Sequence, residues 1–162
     1  MIPATRQRGD PGVSALFLFL APGVFEGLDS DMIDRVALDS CEQRFAQEAS
    51  ILGVWLLGSA ASGRLREDSD VDFAVLYREN SHFAFEEHGR LASDLEAILG
   101  RPVDLGRLTT RNLIYAYEAI RQGKLVYELG PGEANDFAER VAALYFDLKR
   151  DRKVVEDVYC AG

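Results

Sequence analysis

Asp70 and Asp72 stand one residue apart at the head of an apolar segment, Val71-Asp72-Phe73-Ala74-Val75-Leu76-Tyr77. Side chains alternate along a strand, so the two carboxylates project from one face. Like charges this close repel unless a cation lies between them. Hard oxygen ligands with no Cys or His nearby suit Mg²⁺, which commonly bridges carboxylates to substrate phosphates. Ten residues upstream the chain reads Leu57-Gly58-Ser59-Ala60-Ala61-Ser62-Gly63, a second apolar segment ending in a small-residue turn. Backbone N–H groups at Gly58 and Ser59 are placed to hold phosphate oxygens. A lone Asp-x-Asp is usually a solvated turn. Acids at the mouth of a largely buried strand are costly unless they have a purpose. The chemistry implied is metal-dependent phosphoryl or nucleotidyl transfer.

The elements that carry these residues alternate. Ile33, Val36, Ala37, Cys41 and Phe45 recur at helical spacing between Asp31 and Ala49. Ile51–Leu57 is an apolar run short enough for a buried strand, and Ser59–Arg64 fits one helical turn capped by Ser59. Val71–Tyr77 is the second strand. A helix over Ser81–Leu99 turns Leu91, Leu95 and Ile98 inward and stops at Gly100. After Pro102, Val103-Asp104-Leu105 resumes an extended pattern. Thr109 or Thr110 caps a helix with Leu113, Ile114, Tyr117 and Ile120 on its inner face, ending at Gly123. Lys124–Glu128 reads as a short strand. A final helix aligns Phe137, Val141, Leu144, Tyr145 and Leu148. The expectation is a small α/β (α+β) domain on a mixed sheet flanked by helices.

Composition narrows the function classes. The 162 residues fit one domain, 48% hydrophobic and 28% charged, with a net charge of −9. So acidic a chain is a poor candidate for stable nucleic-acid binding. Cys41 and Cys160 show neither metal-ligand spacing nor a disulfide framework, which fits a reducing cytoplasm. Residues 1–31 differ from the rest: Arg6 and Arg8 precede a short apolar run, Val13–Ala21. That run is too short to span a membrane. Asp10 and Pro11 interrupt its approach, and no small-x-small site follows, which argues against a secretory signal. The expected division is an N-terminal extension over 1–31, either loosely attached or absent from a product initiated at Met32, and a catalytic domain over 32–162.

Gly58-Ser59, ten residues, then Asp70-x-Asp72, with Gly63 and Ser69 in their usual places, resembles the signature of the DNA polymerase β-like nucleotidyltransferase superfamily. The region from Met32 to Asp151 is similar to its minimal nucleotidyltransferase branch, the antitoxin half of a two-gene module. Arg101-Pro102-Val103-Asp104-Leu105, Gly123–Glu128 and Tyr145–Lys149 extend that likeness. Two departures stand out: Ser62 and Glu67 occupy positions where the family often has Arg and Pro.

The resemblance implies a polymerase β-like fold and a third carboxylate from a neighbouring strand. Asp104 is the best match; the alternative for it is capping a turn around Gly106. The implied catalytic and metal-binding set is Asp70, Asp72 and Asp104, with Gly58, Ser59, Gly63 and Ser69 at the nucleotide. Two Mg²⁺ ions and ATP as substrate are implied, with AMP passing to a tyrosine of a HEPN-domain ribonuclease toxin and a hetero-oligomer forming with it. The small size around Asp104 favours a protein acceptor. Two other readings stay open: a small-molecule transferase acting, for example, on an aminoglycoside as a dimer, and a non-catalytic module that occludes its toxin. Arg64 and Arg66 are further candidates for contact with phosphate or acceptor. His82, His88, Tyr115, Tyr117, Tyr127 and Tyr145 read as packing residues.

Overall fold

Four strands order themselves as β3-β2-β1-β4, with the two most fully buried strands paired at the centre. The computed structural model describes residues 33–64, 66, 69–79 and 85–160, with the side chains of Phe85 and of 154–160 left aside. The N-terminal extension, Glu67 and His82 lie outside that description. The elements run α1 (Arg35–Ala46), β1 (Ile51–Leu56), α2 (Gly58–Ala61), β2 (Val71–Tyr77), α3 (Phe85–Leu99) and β3 (Val103–Leu108). A 3₁₀ turn (Thr110–Asn112) leads into α4 (Leu113–Gln122), β4 (Lys124–Glu128) and α5 (Glu133–Cys160).

β1 pairs antiparallel with both β2 and β4, whereas β2 and β3 run parallel. The parallel pair needs a crossover, and α3 supplies it. Both sheet faces are covered, which explains the near-continuous apolar runs of β1 and β2. One face is built on Val71, Phe73, Val75 and Tyr77 of β2, packed with Phe45 of α1 and Leu91 and Leu95 of α3. Phe45 meets Phe73 edge-on with ring centres 5.5 Å apart. The other face joins Trp55, Ala74, Leu76 and Leu108 to Ala116 and Ala119 of α4 and Phe137 and Val141 of α5.

Local chemistry explains the boundaries. The Asp34 carboxylate accepts from the Val36 N–H at 3.2 Å and starts α1. Thr109 Oγ1 accepts from the Asn112 N–H and starts the 3₁₀ turn. Glu128 Oε1 accepts from the N–H groups of Gly132 and Ala134, at 3.1 and 2.8 Å, and anchors the start of α5. Arg44 bridges α1 to α3 through Asp94 at 2.8 Å.

Several expectations need correcting. β3 continues through Gly106 to Leu108, so no turn forms there for Asp104 to cap. Ile114, expected inside, is 54% exposed, and Leu144 and Leu148 are also exposed. α4 approaches the sheet through the small side chains of Ala116 and Ala119, with Leu113, Tyr115, Tyr117 and Ile120 packed at the edges and Ile114 turned outward. His88 is a half-buried packing residue, as expected: its ring sits 3.3 Å from the Tyr77 hydroxyl and 3.1 Å from the Leu105 carbonyl. Burial pushes the Cys41 thiol up to about 12, leaving it protonated and unsuited to nucleophilic work.

Candidate active site

The β2–β3 register decides what stands beside Asp72. Asp72 pairs directly with Asp104, Ala74 with Gly106, and Leu76 with Leu108. Paired residues in a sheet project to the same side, and neighbouring strands lie about 4.8 Å apart. The two carboxylates therefore emerge side by side, on the face covered by α4 and α5. Asp70 sits two residues earlier, exposed at the mouth of β2. All three predicted carboxylates are brought together at one end of the parallel pair.

Their electrostatics carry the mark of that proximity. The Asp72 carboxyl is raised above its ordinary value, first by burial, then by the charges of Asp104 and Asp70. A divalent cation would remove that penalty by supplying the missing positive charge. Among the described residues, no three acidic, His or Cys side chains are gathered into a ready-made metal cage. Mg²⁺ is usually held by one or two carboxylates with substrate phosphates and water completing its shell. The donor set is all oxygen and anionic, as that ion requires.

The Gly58-Ser59 turn lies against the same carboxylate. The Leu57 N–H donates to the Asp72 carbonyl at 2.8 Å, tying the end of β1 to β2. Gly58 then turns at φ +60°, and a Cβ there would lie 2.8 Å from Asp72 Oδ2. Only glycine permits both the left-handed backbone and that close approach. The helical turn starts one residue earlier than expected, at Gly58, with Leu57 in the capping position and no side-chain cap. Ser59 is thus inside the turn rather than at its cap. The Ser62 hydroxyl instead donates back to the carbonyls of Gly58 and Ser59, both at 3.2 Å.

The remaining predicted residues fall nearby but play local roles. Gly63 ends the turn at φ +68° with open space around it. The Ser69 hydroxyl accepts from the Arg66 N–H at 3.3 Å, and the Ser69 N–H donates to the Arg66 carbonyl, closing the approach to Asp70. The Arg64 N–H donates to the Ser59 carbonyl at 2.8 Å, and its side chain is exposed. Arg66 receives Arg101 on its backbone carbonyl.

Tyr115 was missed. Expected only as packing, it rests its hydroxyl on Gly106, where a Cβ would collide with it. Its phenol is raised above its ordinary value by burial, then by the charges of Asp104 and Asp72. A glycine in a strand interior often marks such a close approach. Gly106 was the available signal.

A fold that sets paired carboxylates across parallel strands from a Gly-Ser turn has recognisable relatives. The family model described as "Polymerase beta, Nucleotidyltransferase" matches residues 39–130. The chain belongs to the polymerase beta nucleotidyltransferase family. Among curated relatives, the protein adenylyltransferase MntA of Aphanizomenon flos-aquae is 31% identical over 106 residues, covering 60% of this chain and 71% of that protein. Among solved structures, a toxin–antitoxin crystal structure with AMP-PNP superposes with a TM-score of 0.60 at 22% identity, covering 77% of this chain and 97% of that one. A structure of a tri-AMPylated Shewanella oneidensis HEPN toxin with its MNT antitoxin gives 0.59 at 20% identity, covering 78% and 98%. At those identities the structural matches speak to the fold. They bear out the polymerase β-like architecture, and the family defines the activity class as nucleotidyl transfer.

Proposed function

We propose that this protein is a Mg²⁺-dependent protein adenylyltransferase that moves AMP from ATP onto a tyrosine of a partner HEPN-domain ribonuclease toxin, acting as the antitoxin of that pair. The observation that carries the reading is the side-by-side placement of Asp72 and Asp104, with Asp70 adjacent, against the Gly58-Ser59 turn. The similarity to a protein adenylyltransferase, MntA, supports the choice of acceptor class. So does the exposed apolar surface of α4 and α5, where Ile114 is 54% and Phe146 47% exposed beside the stacked rings of Tyr117 and Tyr145. Such patches commonly mark protein contacts.

In this reading Asp70, Asp72 and Asp104 would hold two Mg²⁺ ions. When bound, these ions neutralise the triphosphate and lower the pKa of the attacking hydroxyl. The uncapped N–H groups at Gly58 and Ser59, with the Ser59 hydroxyl, hold the β- and γ-phosphates. Gly63 and Ser69 are assigned to the nucleotide in the same reading. Asp104 accepts the proton of the incoming tyrosine. The tyrosine oxygen bonds to the α-phosphorus, the bond from that phosphorus to its bridging oxygen breaks, and pyrophosphate leaves. Among the described residues no helix is long and apolar enough to cross a membrane. Use of ATP supports reading the reaction as cytoplasmic.

The test is transfer from α-labelled ATP with Mg²⁺ to the purified HEPN protein encoded beside this one. Label on a partner tyrosine, lost in an Asp70→Asn/Asp72→Asn variant, is the expected result. Neutralisation of the toxin with no label, or label only on a small molecule, would overturn the proposal.

A further inference from the structure

Gly106 and Ala74 form a shelf of two small residues directly behind the Asp104–Asp72 pair in the parallel register. Ala74 is fully buried. Gly106 offers no side chain at all, and the Tyr115 hydroxyl occupies the place its Cβ would take. Tyr115 is carried by α4, which begins immediately after the Thr109-capped 3₁₀ turn. The short connection from β3 therefore folds the ring back onto the strand that carries Asp104. Asp104 and Gly106 point to the same side, one strand period apart. The phenol therefore lies one strand period inward of Asp104 on the face the two positions share, while Asp104 itself is exposed.

We infer that Tyr115 is a positioning residue for the transfer reaction, seated on Gly106 to hold the Asp104 carboxylate facing the mouth of the site. This rests on the reading that Asp104 serves as ligand and proton acceptor. Two features of the phenol suit the task. Its ring fills the space over Gly106, next to Asp104 on the same face of β3. Its hydroxyl is a rotatable donor seated on the face of β3 that Gly106 shares with Asp104. Carboxylates that bind metals are commonly steadied by such outer partners, whose loss weakens metal binding or activity by about 10- to 100-fold. The electrostatic coupling of the phenol to Asp104 and then Asp72 is consistent with that placement.

The experiment measures Mn²⁺ affinity by titration without the acceptor, alongside kcat and the KM for ATP with the acceptor present. Tyr115→Phe keeps the ring and drops only the hydroxyl. Mn²⁺ affinity and kcat should each fall about 10-fold, with thermal stability and the KM for ATP nearly unchanged. Gly106→Ala should produce a comparable loss by displacing the ring. The same change made in a Tyr115→Ala background should cost little more, because the seat is then empty. Wild-type Mn²⁺ affinity and kcat in Tyr115→Phe would overturn the inference, as would a variant changed only in melting temperature. Asp104→Asn serves as the reference. Full transfer by that variant would instead remove the role assigned to Asp104 itself.

Discussion

Asp72 and Asp104 face each other across two parallel strands, so their carboxylates share one side of the sheet although 32 positions separate them in the chain. The crossover helix α3 creates that relationship by returning the chain to the same edge in the same direction.

Substituting the three acids should therefore give graded rather than equal losses. Asp70→Asn/Asp72→Asn should abolish AMP transfer. Asp104→Asn, removing the proposed general base and ligand, should lower kcat by about 10²- to 10⁴-fold. Circular dichroism should be unchanged for all of them, since these side chains lie at an open end of the sheet. Equal, mild effects from every substitution would argue against a shared ion.

Asp72 is also a source of instability in the metal-free protein. Its carboxyl is raised in the folded state by burial and by Asp104 and Asp70. A raised acid favours the protonated form, so its contribution to stability is complete below the unfolded value and is lost as pH rises through the folded one. Asp72→Asn should then melt higher than wild type at neutral pH without metal. The difference should shrink towards acid pH and in saturating Mg²⁺. Scanning calorimetry across pH 3–8 checks the sign, and a variant less stable than wild type at pH 7 would contradict it.

Gly58 should tolerate no side chain. Its φ of +60° and the 2.8 Å approach of a Cβ to Asp72 Oδ2 mean that Gly58→Ala strains the turn and pushes the carboxylate aside. A non-glycine residue in this conformation costs on the order of 1–3 kcal/mol. ATP affinity and kcat should both fall, with chemical denaturation showing the accompanying stability loss. Unaltered kinetics would separate the turn from the chemistry.

Leu95 provides the opposite case. It is fully buried against the sheet face remote from the carboxylates. Leu95→Ala should cost about 2–5 kcal/mol in urea unfolding. Transfer per folded molecule should stay near wild type at low temperature.

Much of this site was legible along the chain because its specificity is local. The Asp-x-Asp pair needs only strand alternation to share a face, and the Gly-Ser turn announces itself by residue type. β2 and β4 fall where alternation and flanking turns place them. Asp104 was reachable only through a family resemblance, since one acid in a short apolar triplet carries no partner information. Tyr115 was hidden for the same reason. Its periodicity matches that of a packing residue, and what distinguishes it is the glycine beneath it on another element.

The sequence by itself determined the alternation of helices and strands, the anionic oxygen chemistry of Asp70 and Asp72, and the glycine turn beside them. These follow from short-range backbone preference and side-chain type. Only the tertiary structure decided that β2 and β3 run parallel in a register opposing Asp72 to Asp104, and that α4 lowers Tyr115 onto Gly106. Register and helix rotation depend on how buried side chains from distant segments fill a common core, with Ala116 and Ala119 setting the close approach that turns Ile114 outward.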